Sequence, residues 1–148
     1  LGRPKVPAIN PAMSGRTALK SIGAKKIGLV TPYIEEVGDS VAGYFEDHGI
    51  SVENNVCMRC DTDYEISRIS DKTMIDAAIE VSKGVDAIFM SCAAFPATNV
   101  IRQIEEKTGV PVVTSNQSMI WMAYRTMGLN DNLTNLGRLF EHDMKKGE

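Results

Sequence analysis

Short apolar runs alternate with amphipathic segments along most of this chain. The runs that predict buried strands are nearly all apolar, and they lie at 26–30, 85–90 and 110–114. Strands of this composition are typical of a parallel sheet that is covered by helices on both faces. A fourth strand is predicted from 52 to about 59, and an irregular loop is expected to follow it to 69.

Helical periodicity fills the intervals between these strands. Apolar side chains recur every three or four positions in four segments, 34–48, 74–81, 100–104 and 117–127. Four glycines that precede a strand are each expected to end a helix in the left-handed conformation: Gly23, Gly49, Gly84 and Gly109. Ser70 and Asn116 are predicted as helix N-caps. The alternation predicts an α/β fold with right-handed crossovers and a parallel sheet flanked by helices.

Composition narrows the functional classes. The chain has 148 residues, of which 43% are hydrophobic, and a net charge of −3, which suits one domain or part of a larger protein. The basic residues form no block and do not interleave with aromatic residues, so nucleic acid is not an expected partner. No apolar run approaches the roughly 20 residues of a membrane span, so a membrane is not expected either. Three cysteines, an odd number, indicate free thiols in a reducing cytoplasm.

Cys92 is the residue that most strongly indicates chemistry. It follows the apolar run 85–90, and small residues and a helical pattern come after it. In an open parallel sheet, the carboxyl ends of the strands share one edge, and ligands bind in the crevice there. A thiol at that edge can act as a nucleophile or a proton donor. The alternative is a small buried hydrophobic side chain, as free cysteine often is.

Two further loops are expected at the same edge of the sheet. Thr31 and Tyr33 follow the first strand, and Ser115 and Asn116 follow the last. Together with the backbone amides after Cys92 and the positive ends of the helices, these groups would favour a carboxylate. We therefore predict that all four residues contribute to substrate binding.

The remaining candidate groups favour structural roles. Cys57 and Cys60 form a CxxC pattern, but a zinc site needs about four ligands, and no second CxxC occurs. We predict that they neither bind a metal nor cycle as a disulfide. His48 is expected at the end of a helix and His142 in a polar tail, so a Cys–His catalytic pair is not indicated.

These motifs together resemble the maleate cis-trans isomerase and arylmalonate decarboxylase branch of the aspartate/glutamate racemase superfamily. The matching order and spacing extend over about 5 to 142. The segments that carry the resemblance are Thr31–Val37, Met90–Cys92 and Gly109–Gln117 with Trp121 after it, supported by Val6–Ala8 and Ile66–Ile69.

The resemblance implies one lobe of a pseudo-twofold, two-lobe racemase-type fold, with the active site between the lobes. Residues 1–22 would be the last strand and helix of a preceding lobe, 23–128 the lobe that carries Cys92, and 129–148 a tail that packs back on the other lobe. The chain begins with Leu1 rather than methionine, and the rest of the preceding lobe is expected upstream. Segment 1–22 is therefore expected to pack poorly, and the protein to form a homo-oligomer.

The resemblance also assigns roles to individual residues. Cys92 corresponds to the second-lobe cysteine, Tyr33 to a tyrosine whose hydroxyl holds a substrate carboxylate, and the Ala93 amide to a backbone donor to the same group. Ala94 and Tyr64 are predicted beside the substrate as well. Tyr64 departs from the asparagine that maleate isomerases tend to place nearby, and the chain lacks the Thr-His that follows this cysteine in glutamate racemases.

The function that the resemblance implies is a cytoplasmic, cofactor-independent isomerase of a small carboxylic acid. Cys92 would act as acid and base on an enediolate-like intermediate, with no metal or organic cofactor. Two alternatives remain open. A glycine in place of the cysteine of the missing lobe would favour an arylmalonate-type decarboxylase. A non-catalytic ligand-binding or assembly domain would leave Cys92 no more reactive than Cys57 and Cys60.

Overall fold

The computed structural model describes residues 8–145, and its centre is one sheet of four parallel strands. The strands are β1 (Lys26–Thr31), β2 (Ser51–Cys57), β3 (Ala87–Met90) and β4 (Val112–Thr114). Their order across the sheet is β2-β1-β3-β4, and each neighbouring pair is parallel. The predicted α/β fold is confirmed.

Helices cover both faces of this sheet. The α-helices are α1 (Pro11–Ser21), α2 (Glu35–Glu46), α3 (Asp63–Ile66), α4 (Asp71–Val81), α5 (Ile101–Thr108) and α6 (Ser115–Thr126), and 3₁₀ turns lie at Ala97–Asn99, Thr134–Leu136 and Arg138–Glu141. Within residues 8–145, none of the helices has the length and hydrophobicity of a membrane span.

The predicted helix ends are partly confirmed. The four glycines adopt the expected left-handed conformation, with φ of 82°, 77°, 72° and 73° in chain order. Ser70 caps α4 by accepting the Thr73 N–H at 3.1 Å. The prediction for Asn116 is wrong, because Thr114 is the N-cap of α6. Thr114 and Gln117 form a reciprocal capping box, which satisfies two backbone donors at once.

Two hydrophobic clusters form the core, one on each face of the sheet. Ile88 and Val30 pack with Met74 of α4 and Ile104 of α5 in the first cluster. The second cluster joins residues of α1, α2, α6 and the opposite sheet face, namely Leu19, Phe45, Phe89 and Trp121. The strands are therefore buried on both sides, which explains their nearly continuous apolar sequence.

Helix α1 packs closely against α6 and β4. Ala18 and Leu19 are fully buried, and Gly15 lies so near Phe89 that an added Cβ would come within 2.6 Å of the ring atom Cε2. The expectation of poor packing is therefore wrong for 14–21 of α1, because small side chains on this helix permit close contact within the chain. Residues 1–7 of that segment lie outside the described residues.

A buried arginine fastens the C-terminal segment to α6. The Arg125 side chain donates to the backbone carbonyls of Leu129, Phe140 and His142, at 2.9, 2.7 and 3.1 Å. The Trp121 indole N–H also donates to the His142 carbonyl, at 3.0 Å. The described part of the tail thus packs on its own lobe, and its contact with a second lobe stays a prediction.

Replacing Arg125 should loosen this segment. We expect Arg125→Lys to lower the free energy of unfolding by about 2 kcal/mol, because one ammonium group cannot reach three divergent carbonyls and leaves buried acceptors unpaired. Denaturant unfolding measures the change. Arg102→Lys is the matched control, since Arg102 is exposed and pairs with Glu106 one turn away, so its effect should stay below about 0.5 kcal/mol. Equal losses in both variants would contradict the fastening role.

Candidate active site

Cys92 occupies a strained turn just beyond the carboxyl end of β3. Its φ is 117°, in a region that residues with a side chain rarely adopt. Such a conformation costs about 1–3 kcal/mol and persists only where the surrounding structure fixes it. Strain of this kind is concentrated at functional sites. The groups that contact this turn are therefore candidates for a functional role.

Tyr33 approaches Cys92 from the loop after β1. Its hydroxyl lies beside the side chains of Cys92 and Ser91, close enough for both to influence its pKa. Burial first, and then the hydrogen bond to Cys92 and the charge of its thiolate form, raise the pKa of Tyr33 above its ordinary value of 10.0. The phenol therefore stays protonated at neutral pH and is a neutral donor beside the Cys92 sulfur.

Two backbone N–H groups are available next to the thiol. The Cys92 N–H donates to Ser115 Oγ at 3.2 Å. By contrast, no acceptor within residues 8–145 pairs with the N–H of Ala93 or Ala94, and both residues are partly or fully exposed. With the hydroxyl of Tyr33, these amides make a group of neutral donors of the kind that holds a carboxylate or a developing oxyanion.

The loop after β4 also reaches Cys92, but it contacts the backbone of the turn. Ser115 is 2% exposed, and its Oγ accepts the Cys92 N–H. The Asn116 side-chain amide donates to the Ala93 carbonyl at 3.0 Å. The structure thus brings both residues to the predicted edge of the sheet, where each makes one hydrogen bond to the backbone of the Cys92 turn.

Thr31 and Tyr64, also predicted to bind substrate, have other partners. Thr31 is fully buried, and its hydroxyl donates to the Cys57 sulfur at 3.5 Å. Tyr64 lies on α3, is 68% exposed, and accepts a hydrogen bond from Arg68 at 2.9 Å. Their contact with a substrate stays a prediction, and within the described residues neither hydroxyl is hydrogen-bonded to Tyr33 or to the Cys92 turn. Their position in loops at the sheet edge could not reveal this, because side-chain direction depends on contacts with other elements.

Ser91 is a site residue that the sequence analysis missed. It contacts the Tyr33 hydroxyl and also borders a mainly apolar cavity of about 310 Å³, whose other walls include Ser115, Tyr44 and Phe89. The only sequence signal for Ser91 is its position directly before the cysteine at the end of a strand. None of the candidate donors lines this cavity, and its apolar wall belongs to the core cluster on the other face of the sheet from Tyr33 and Cys92.

Cys57 is the last residue of β2, Cys60 lies in the loop that follows it, and both are free thiols. Burial, with the nearby charges of Glu65 and Asp61, raises the pKa of Cys60 above its ordinary value. A raised pKa disfavours the thiolate that binds zinc or exchanges disulfides. In the described part of the chain, no three His, Cys, Asp or Glu residues are grouped to hold a metal ion.

Purified, untagged protein should therefore contain far less than one zinc per chain. Elemental mass spectrometry of the protein measures this directly. The decisive comparison is between Cys57→Ala/Cys60→Ala and Cys92→Ala. One zinc per chain that is lost in the double variant and kept in the single variant would show that the CxxC pair binds metal.

Comparison with known proteins shows which family this chain belongs to. Residues 4–140 match the arylmalonate decarboxylase family. The chain belongs to this family. It is 24% identical to a maleate isomerase of Alcaligenes faecalis over 137 residues, which make up 91% of this chain and 54% of that protein. It is 26% identical to the arylmalonate decarboxylase of Bordetella bronchiseptica over 127 residues, which are 83% and 53% of the two chains.

A solved structure of another relative shows the same fold. The maleate isomerase of Pseudomonas putida S16, in a crystal structure with maleate, superposes with a TM-score of 0.87 at 23% identity, and the match covers 91% of this chain and 55% of that one. The predicted resemblance to this branch is confirmed. The chain spans about half the length of the relatives it matches, which is consistent with a single lobe.

Proposed function

We propose that this chain is the Cys92-bearing lobe of a cofactor-independent isomerase that acts on a small carboxylic acid. In this proposal 23–128 is the lobe that carries Cys92, 1–22 is the last strand and helix of a preceding lobe, and 129–148 is a tail that packs back on that other lobe. The observation that carries the proposal is the meeting of three kinds of proton donor at one sheet edge, the Cys92 thiol, the Tyr33 hydroxyl and the unpaired amides after Cys92. The maleate isomerases among its relatives support the reaction class. A cytoplasmic homo-oligomer remains a prediction.

Substrate binding would use the neutral donors. One carboxylate of the substrate would accept hydrogen bonds from the Tyr33 hydroxyl and from the N–H groups of Ala93 and Ala94. These donors are fixed before the substrate arrives, so they would stabilise negative charge as it develops on the carboxylate oxygens. Donors of this type each contribute roughly 10²–10³-fold to turnover.

Cys92 would then move a proton. When a nucleophile supplied by the missing lobe adds to the double bond of the substrate, the electron pair of that bond moves onto the carboxylate as an enediolate. The Cys92 thiol would protonate the adjacent carbon, and the resulting single bond could rotate. The Cys92 thiolate would remove the proton again, so that the double bond re-forms and the nucleophile leaves. The electrons and the proton return to their origin, and the cycle needs no oxidant or reductant.

A decarboxylase is the second candidate, and the family match itself favours it. Loss of CO₂ from a disubstituted malonate leaves its electron pair as the same kind of enediolate, which the Cys92 thiol would protonate. Cys92 and Tyr33 have the same roles in both reactions, so the two candidates differ in substrate rather than in the use of this lobe.

Protection of Cys92 from alkylation tests the carboxylate site. The protein extended upstream to include the preceding lobe is treated with iodoacetamide, and labelling is followed at each cysteine by mass spectrometry. Succinate, which has no double bond to isomerise, should slow labelling of Cys92 roughly 10-fold at ten times its dissociation constant. Labelling of Cys57 and Cys60 should be unaffected.

Succinamide is the matched control, because it has the same carbon skeleton without the carboxylates and should give little protection. Cys92 labelling that is the same with and without succinate would contradict the proposal.

A further inference from the structure

We propose that Ser115 is a positioning residue that holds Cys92 in its strained conformation, with Asn116 as a second tie on the same turn. Both residues would act through the backbone and would not touch the substrate. This inference rests on the role proposed above for Cys92. It assigns to the first turn of α6 the task of setting the geometry of the reacting thiol.

The strained turn needs external support. With φ at 117°, the backbone of Cys92 would relax unless its neighbours fixed it. The preceding residue is fixed by the sheet, because the Ser91 N–H donates to the Val30 carbonyl at 3.0 Å. The next N–H, that of Cys92, leaves the sheet and donates to Ser115 Oγ at 3.2 Å. The hydrogen bond to Ser115 is therefore the first backbone contact that the chain makes outside the sheet after it leaves β3.

Ser115 is held firmly enough to serve as a support. It is the first residue of α6 and is 2% exposed. The residue before it, Thr114, ends β4, and its N–H donates to Gln117 Oε1 at 3.0 Å while its hydroxyl accepts the Gln117 N–H at 3.1 Å. The Ser115 hydroxyl is thus attached to a strand end and a capped helix start. Its short side chain loses little conformational entropy when it is fixed.

Asn116 controls the orientation of the next peptide group. Its side-chain amide donates to the Ala93 carbonyl at 3.0 Å. The Ala93–Ala94 peptide is planar and trans, so its carbonyl and its N–H point in opposite directions. A carbonyl tied toward α6 therefore directs the Ala94 N–H away from α6. The two ties together set the positions of the thiol and of one proposed carboxylate donor.

Removal of the Ser115 hydroxyl should affect the chemical step more than substrate binding. In the extended protein, we expect Ser115→Ala to lower kcat by roughly 10- to 100-fold, the scale of a misplaced reacting group, with KM changed less than about twofold. The pair Ser115→Thr and Ser115→Val adds a control of matched shape. Threonine keeps the acceptor and should retain most of kcat, whereas valine lacks it and should behave like alanine.

Amide hydrogen exchange separates positioning from general loosening of the fold. Without its acceptor, the Cys92 N–H should exchange at least about 10-fold faster in Ser115→Ala and Ser115→Val. The Ser91 N–H, which is bonded to Val30, should exchange at the wild-type rate. Faster exchange at both sites to the same extent would indicate local unfolding and would contradict a specific role for Ser115.

The outcome for Cys92→Ser distinguishes the two proposals. Near-normal turnover in Cys92→Ser would overturn the proposed function and this inference with it. A large loss in Cys92→Ser, with unchanged kcat and unchanged Cys92 exchange in Ser115→Ala, would overturn the role of Ser115 alone. An equal loss of kcat in the threonine and valine variants would also overturn it, because threonine keeps the acceptor.

Discussion

Cys92→Ser is expected to lower turnover at least about 100-fold in the protein extended upstream, which is the scale of general acid–base catalysis. A serine hydroxyl has nearly the same shape as the thiol and is a much weaker acid, so it would not exchange protons with carbon at neutral pH. The half-buried position of Cys92 tolerates the change, and the free energy of unfolding should move by less than about 1 kcal/mol. Initial rates and thermal unfolding measure the two effects.

Cys57→Ser is the matched control for this prediction. Cys57 lies at the end of β2, and its sulfur contacts Thr31 and Asn55 rather than the Cys92 turn. We expect its turnover to stay within about twofold of wild type, because the substitution changes no group placed at the reacting carbon. Turnover of Cys92→Ser equal to that of Cys57→Ser would refute the acid–base role.

Tyr33→Phe should produce the other large effect. The substitution removes only the hydroxyl, so we expect a loss of about 2–4 kcal/mol in transition-state stabilisation, or roughly 30- to 1,000-fold in kcat/KM. Because burial and Cys92 raise the pKa of Tyr33, wild-type kcat/KM should show no loss from deprotonation of this phenol at any pH below its ordinary value of 10.0.

Tyr124→Phe is the control, since Tyr124 lies on α6 and packs edge-to-face on Phe140 with ring centroids 6.3 Å apart. Its kinetics should match wild type. A Tyr33→Phe enzyme with the kinetics of Tyr124→Phe would show that the hydroxyl of Tyr33 does not take part.

The features that the sequence predicted well are those set by local pattern. Nearly apolar strands bounded by glycines identified β1, β3 and β4, because each signal needs only a few adjacent residues. Helix α3 was missed, since a single turn is too short to show a helical period. Its capping box between Thr62 and Glu65 was the one available signal.

The candidate site depended more on contacts between distant segments. The order of parallel strands placed Cys92, Tyr33 and Ser115 at one edge, and this much follows from sequence. The φ of Cys92 does not, because the Cys92 N–H is hydrogen-bonded to Ser115, which is 23 residues away. The direction of the Thr31 hydroxyl likewise depends on its hydrogen bond to Cys57, which is 26 residues away. Loop membership predicts where a residue lies, whereas the direction of its side chain requires the assembled fold.

A turnover assay of two protein lengths tests most directly whether this chain is the Cys92-bearing half of a two-lobe carboxylate enzyme. Residues 1–148 and the version extended upstream are each incubated with maleate and with an α-aryl-α-methylmalonate. We predict that the extended protein turns over one of the two, with fumarate formation indicating an isomerase and CO₂ release a decarboxylase. We predict that residues 1–148 turn over neither, because half of the reacting groups would lie in the preceding lobe. Equal turnover by the short and extended proteins would contradict the two-lobe assignment.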